Sequence, residues 1–111
     1  MRYIAGILLW LSLGFLSQAR ADQTFNMNHT EATATTSSTE ATALNMKRQY
    51  LLIINKGSVG VYAKIGSAHS GTEGVLIPAG GNWEPFVIPV GAVYLKSVSG
   101  SQSVSIVEGT R

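Results

Sequence analysis

Ten of the twelve glycines fall between Gly57 and Gly109, cutting the second half of the chain into apolar runs too short for helices. Short runs of β-branched and aromatic residues between turn signals are the mark of strands. Tyr50-Leu51-Leu52-Ile53-Ile54 is one such run, closed by Asn55-Lys56-Gly57-Ser58. Val59 to Ile65 alternates Val59, Val61, Ala63 and Ile65 with Gly60, Tyr62 and Lys64, the period of a half-buried strand. Gly66 to Gly74 is a loop by composition, Val75-Leu76-Ile77 a short strand, and Pro78-Ala79-Gly80-Gly81 a turn. Trp83 to Ile88 continues extended, and Pro85 and Pro89, which cannot donate to a ladder, confine it to an edge or a crossover. Ala92 to Val98 and Ser103 to Glu108 are the last two strands, with Ser99-Gly100-Ser101-Gln102 predicted to join them as a hairpin. The expected fold is all-β, a small antiparallel β-sandwich or barrel of about seven to eight short strands.

Residues 22–46 form a Thr/Ser/Ala-rich segment ahead of the sandwich core at 47–111. Glu31-Ala32-Thr33-Ala34-Thr35 alternates with period two and Thr is β-branched, so Thr30 to Thr42 reads as two strands joined at Thr36-Ser37-Ser38-Thr39. The other reading of that composition is a flexible linker. A hairpin around Lys56-Gly57-Ser58 would put Leu51, Ile53, Val61 and Ala63 on one face and Tyr50, Leu52, Ile54, Gly60, Tyr62 and Lys64 on the other. Tyr50, Leu52, Ile54 and Tyr62 then make a second apolar face, to be covered by another segment or another subunit. This is the candidate assembly surface.

Met1 to Ala21 carries a basic start at Arg2, an uncharged stretch, and the small-residue ending Ala19-Arg20-Ala21 before Asp22. That is the pattern of a secretory signal peptide, with cleavage expected after Ala21. Its apolar heart, Ile4 to Leu16, is 13 residues long, short of the roughly 20 a spanning helix needs. The competing reading is a retained signal anchor. After cleavage the protein is expected to be exported, to the periplasm, the extracellular space or a virion surface, with no stable membrane span. Removing Arg2 and Arg20 turns the formal net charge of +2 into six bases against six acids, so no global basicity argues for nucleic acid. With no cysteine, a small exported domain takes its stability from β packing or subunit contacts rather than disulfides.

Little in the sequence points to catalysis. His69 keeps company with Ser67, Ser70, Thr72 and Glu73, the residue types of a Ser-His-acid triad, but without the constrained nucleophile turn such a triad needs. His29 and His69 lack metal-ligand spacing, no phosphate-binding Gly-rich motif occurs, and no cofactor is called for. Lys47, Arg48 and Lys64 form a candidate anion-binding patch, since the hairpin register sets Lys64 opposite Tyr50 and near Arg48. Trp83, beside Gly80-Gly81-Asn82, is a candidate sugar-stacking residue. The blander readings are solvated edge lysines and a Trp closing one end of the core.

The run Lys47 to Gly57, with Val61-Tyr62, Gly80-Gly81-Asn82-Trp83-Glu84-Pro85, Ala92-Val93-Tyr94-Leu95 and the closing Val104-Ser105-Ile106-Val107-Glu108-Gly109, resembles small all-β bacteriophage virion proteins of the capsid-decoration kind. The resemblance spans Ala41 to Gly109, with a signal peptide added in front. It implies a structural, non-enzymatic role in a multimeric particle, with the chain itself or a capsid or cell-surface lattice as partner. The alternative expectation is a periplasmic or extracellular module binding carbohydrate or lipopolysaccharide through Trp83, Lys47, Arg48 and Lys64.

Overall fold

The computed structural model describes residues 26–111, so the expected signal peptide and its cleavage site at Ala19, Ala21 and Asp22 lie outside the described residues. Eight strands follow in order: β1 Asn26–Ala34, β2 Thr39–Thr42, β3 Arg48–Asn55, β4 Val61–Ile65, β5 Val75–Ile77, β6 Asn82–Trp83, β7 Val93–Ser97 and β8 Gln102–Thr110. They form two four-stranded antiparallel sheets, β1-β8-β3-β6 (sheet A) and β2-β7-β4-β5 (sheet B). Eight strands in this order, two sheets face to face, are the jelly-roll arrangement.

The core follows from the period-two pattern. Leu51 and Ile53 of β3, Val104 and Ile106 of β8 and Ala34 of β1 point inward from sheet A. Val61 and Ala63 of β4, Ile77 of β5, and Val93 and Leu95 of β7 meet them from sheet B. All are buried, and most are β-branched or γ-branched aliphatics that stand well on a pleated surface. Both pieces of the Thr-rich segment are strands. β1 pairs residue for residue with β8 over its whole length, from Asn26 opposite Thr110 to Ala34 opposite Gln102.

Two expected hairpins come out differently, for one reason. β3 and β4 are not a hairpin: β3 lies between β8 and β6 in sheet A, and β4 lies between β7 and β5 in sheet B. Leu51, Ile53, Val61 and Ala63 do share the core, but from opposite sheets. β7 and β8 likewise cross between sheets instead of forming a hairpin; β1 and β2, joined through residues 35–38, also lie in different sheets. Alternation identifies the buried face of a strand and carries no information about which strand lies beside it. Only β4 and β5 are consecutive neighbours, joined by the loop from Gly66 to Gly74. Gly74 returns that loop to the sheet at φ +99°, where a Cβ would stand 2.2 Å from the Ala63 carbonyl oxygen.

The edges are treated unequally. β2 carries a bulge between Glu40 and Thr42, β5 is three residues long, and β6 is two residues long with Pro85 close behind. Bulges, short strands and proline all discourage pairing with another sheet. β1 has none of these devices, and its nine residues are an extended, mostly exposed edge.

Candidate functional site

The candidate residues fall in three places. The first is the outer face of sheet A. Tyr50, Leu52 and Ile54 alternate with the buried Leu51 and Ile53 and are half-buried on the outside. Across the ladder, Leu52 stands opposite Val107, which in turn stands opposite His29. Tyr50 stands opposite Gly109, and Gly109 opposite Met27. The result is an apolar stripe running over three strands, with the Tyr50 hydroxyl donating to the Glu84 carboxylate at one margin. At the other, Glu31 accepts from Ser105 Oγ at 2.6 Å and pairs with Lys56 at 2.7 Å.

Tyr62, expected on this same face, belongs to the second place, the outer face of sheet B. There it opposes Lys96 on β7 and Leu76 on β5, while Lys64 opposes Tyr94. Internal cover does exist here. The Gly66–Gly74 loop folds back over the sheet: Lys64 Nζ donates to the Ala68 carbonyl (3.1 Å) and Lys96 Nζ to the Gly71 carbonyl (2.8 Å). His69 reaches the β1–β2 connection, its backbone N–H donating to Ser38 Oγ at 2.9 Å and its Nδ1 lying 2.7 Å from the same oxygen. Burial pushes the imidazole pKa below its ordinary value, partly countered by the Glu73 carboxylate. The other ring nitrogen, Nε2, is buried with no hydrogen-bond partner among the described residues. Ser38 is thus the residue that pairs with His69, and Ser67, Ser70 and Thr72 are not. Its position 31 residues away in sequence left no signal.

Glu73 holds the loop in shape. Its carboxylate accepts from the Ser70 N–H (3.0 Å), the Ser70 hydroxyl (3.0 Å) and the Gly71 N–H (2.6 Å). These donors, the Ser70 N–H first and its hydroxyl next, lower the Glu73 pKa from 4.5 to about 2. A carboxyl depressed on folding contributes stability above its unfolded pKa and loses it as pH falls through the folded one. The loop contribution is therefore expected to be complete above about pH 4.5 and to fade towards about pH 2. NMR of the Ser70 and Gly71 amides should show a titration with a midpoint near 2, absent in Glu73→Gln. A midpoint in the ordinary carboxylate range would contradict this account.

The third place is the end of the sandwich where β3 starts and β8 finishes. Arg48 is not part of an exposed patch: its side chain is 0% exposed. A bulge between Arg48 and Tyr50 shifts the register, so Arg48 faces the sandwich interior while Tyr50 faces out. Its Nε donates to Glu108 at 2.7 Å, Nη1 to the carbonyls of Pro89 (2.7 Å) and Gly91 (2.8 Å), and Nη2 to that of Ala43 (3.1 Å). The Asn45 N–H adds a bond to the Val90 carbonyl at 2.8 Å. One guanidinium thereby bolts the β2–β3 loop to the β6–β7 loop. From the bolted pair Leu44, Met46, Phe86 and Val87 project into solvent, Phe86 with its whole side chain exposed.

The candidate ligand residues are consequently scattered. Lys47 is exposed at the bolted end, Arg48 is buried beneath it, and Lys64 lies on the opposite outer face, pinned by Ala68 and, at 3.8 Å, Glu73. Trp83 opposes the inward-facing Ile53 and packs against the core at the edge of sheet A. The expected anion patch of Lys47, Arg48 and Lys64 is therefore not assembled, because Arg48 and Lys64 belong to different sheets. Among the described residues no three His, Cys, Asp or Glu side chains converge to hold a metal ion.

No protein-family model and no curated protein matches the chain. Among solved structures it is similar to a chain described as "Bacillus endospore appendages form a novel family of disulfide-linked pili". The identity is 15%, the match covers 79% of this chain and 90% of that one, and the TM-score is 0.41.

Proposed function

We propose that this jelly roll is a non-enzymatic structural protein of a phage particle, or a prophage-derived protein at the cell surface, that acts by assembly. The observation that carries the reading is the outer face of sheet A. Met27, Tyr50, Leu52 and Ile54, ranged around the already buried Val107, leave apolar surface where a lone sandwich shows polar residues, and β1 beside them is a long edge with open backbone groups. A second copy laid against this surface buries it and turns the unguarded edge into a contact. The sequence resemblance to capsid-decoration proteins supports the same reading.

Sedimentation of the full chain tests it. The wild type is expected to sediment as an oligomer or to co-sediment with purified phage particles. Leu52→Lys combined with Ile54→Lys is expected to give a monomer that no longer co-sediments, with an unchanged far-ultraviolet spectrum. A wild-type chain that stays monomeric at micromolar concentration and binds no particle would overturn the reading.

A further inference from the structure

β1 leaves one edge of sheet A open, and, resting on the assembly reading for a second copy, we infer that β1 of that copy pairs with it, antiparallel, about a twofold axis at Thr30. Strand pairing between molecules needs an open edge on each side. The molecule has four edges, β1 and β6 in sheet A and β2 and β5 in sheet B. β2 is bulged, β5 has three residues and β6 has two, which leaves the nine residues of β1 as the edge fit to add a strand. Two copies that join edge to edge therefore join β1 to β1.

Charge selects the register. Counting back from the buried Ala34, Ala32, Thr30 and Asn28 take the inner face, and Thr33, Glu31, His29 and Met27 the outer one. His29 and Glu31 are the only ionisable side chains of β1. Antiparallel pairing that keeps like faces together and centres on Thr30 sets His29 opposite Glu31 of the second copy, once on each side of the axis. Centring on Glu31 would set carboxylate against carboxylate, and centring on His29 would leave each Glu31 opposite a Met27. Thr30 is also the midpoint of Asn26–Ala34, so the same register pairs both strands along their full length. Glu31 has room for the second donor: Lys56 Nζ at 2.7 Å and Ser105 Oγ at 2.6 Å take one site on each oxygen, and a carboxylate offers about four. These partners, Lys56 first, hold the Glu31 carboxyl below its ordinary range, and an imidazole N–H donates to a carboxylate whether the ring is neutral or charged. Lys56 beside each carboxylate also offsets the repulsion between the two Glu31 side chains, which lie on the diagonal. The product is one continuous sheet of four strands from each copy, with the two apolar outer faces side by side.

The absence of cysteine makes the test direct, because a single introduced thiol reports a single contact. The full chain carrying Thr30→Cys is oxidised with copper phenanthroline at a concentration where the wild type sediments as an oligomer. Opposite Cα atoms in an antiparallel pair are about 4.5–5.5 Å apart, within reach of a disulfide, so this chain is expected to form a covalent dimer. Asn28 and Thr30 are both exposed, so access does not separate them. The thiol of Asn28→Cys would stand about 13 Å along the strands from its own twin and is expected to cross-link slower by roughly tenfold or more, yet to cross-link readily when mixed with Ala32→Cys. In a second arm, adding Glu31→Lys to the Thr30→Cys chain is expected to slow its cross-linking. Mixing that chain with one carrying Thr30→Cys and His29→Glu is expected to restore it, because only the mixed pair sets complementary side chains on both sides of the axis. Equal rates at positions 28 and 30 would mean random collision and would overturn the twofold pairing. So would a slow cross-link at position 30 in a chain that still sediments as an oligomer, a result that leaves the assembly reading standing. A wild type that stays monomeric overturns the assembly reading and the pairing with it.

Discussion

Replacing Arg48 by alanine is expected to destabilise the fold by about 3–5 kcal/mol, the scale set by breaking a buried ion pair on one side only. The loss has two sources. Glu108, whose side chain is 17% exposed, keeps its charge without the partner that neutralises it. The carbonyls of Ala43, Pro89 and Gly91 lose their donors together, and the two loops they belong to lose the group that joins them. Urea unfolding of the variant measures the effect. Arg48→Lys should recover little, because an ammonium cannot reproduce the planar fork that reaches three carbonyls and a carboxylate at once. Arg48→Met combined with Glu108→Leu should recover much of it, because removing both charges leaves no buried ion unpaired. A loss below about 1 kcal/mol for Arg48→Ala would show that solvent replaces the guanidinium at little cost.

Asn55→Ala is the second large effect, expected at about 3 kcal/mol from buried polar groups left without partners. Asn55 is 0% exposed and ends β3 with its side chain turned across the sandwich. Its Nδ2 lies 2.8 Å from the Val59 carbonyl, 3.0 Å from that of Ile77 and 3.2 Å from that of Pro78. Its Oδ1 accepts from the Gly57 N–H at 2.9 Å. The residue thus ties β3 to both the β3–β4 crossover and the β5–β6 turn. Three carbonyls around one nitrogen also fix which way the amide points. Asn55→Asp is therefore expected to be worse than Asn55→Ala, since it turns an oxygen and a charge toward those carbonyls. Equal melting temperatures for the two would show that the amide is not the group that matters.

Particular residues show how far the sequence could be read. The all-β class and the inward set Leu51, Ile53, Val61 and Ala63 were legible because period-two alternation records burial directly. The partners were not, because a chain that changes sheet at almost every connection leaves no local trace of which strands meet. Tyr62 was grouped with Tyr50, Leu52 and Ile54 on that account and lies on the other side of the molecule. Arg48 shows a different limit. Its even-numbered position puts it on the outer face with Tyr50, and one extra residue at the bulge turns it inward. A one-residue shift is invisible in composition and decides whether this cation is a surface charge or the bolt of the structure. The exposed tips Phe86 and Val87 were missed as well, since the two prolines flanking them suggested only an edge or a crossover.

The place of β8 has a consequence for how the chain folds. It is the last strand in sequence, yet it is central in sheet A, hydrogen-bonded to β1 on one side and β3 on the other. Without β8, β1 has no neighbour, and β3 keeps only the two-residue pairing with β6. Sheet A therefore cannot close until residues 102–110 have been delivered, and the first strand waits for the whole described chain before it finds its partner. Long-range closure of this kind is slow, and the waiting strands stay unpaired until the end. In a chain synthesised or threaded from its N-terminus, β1 is therefore expected to stay unpaired for as long as the chain is in transit. Sheet A then closes late, when its last nine-residue strand slots between the first and the third.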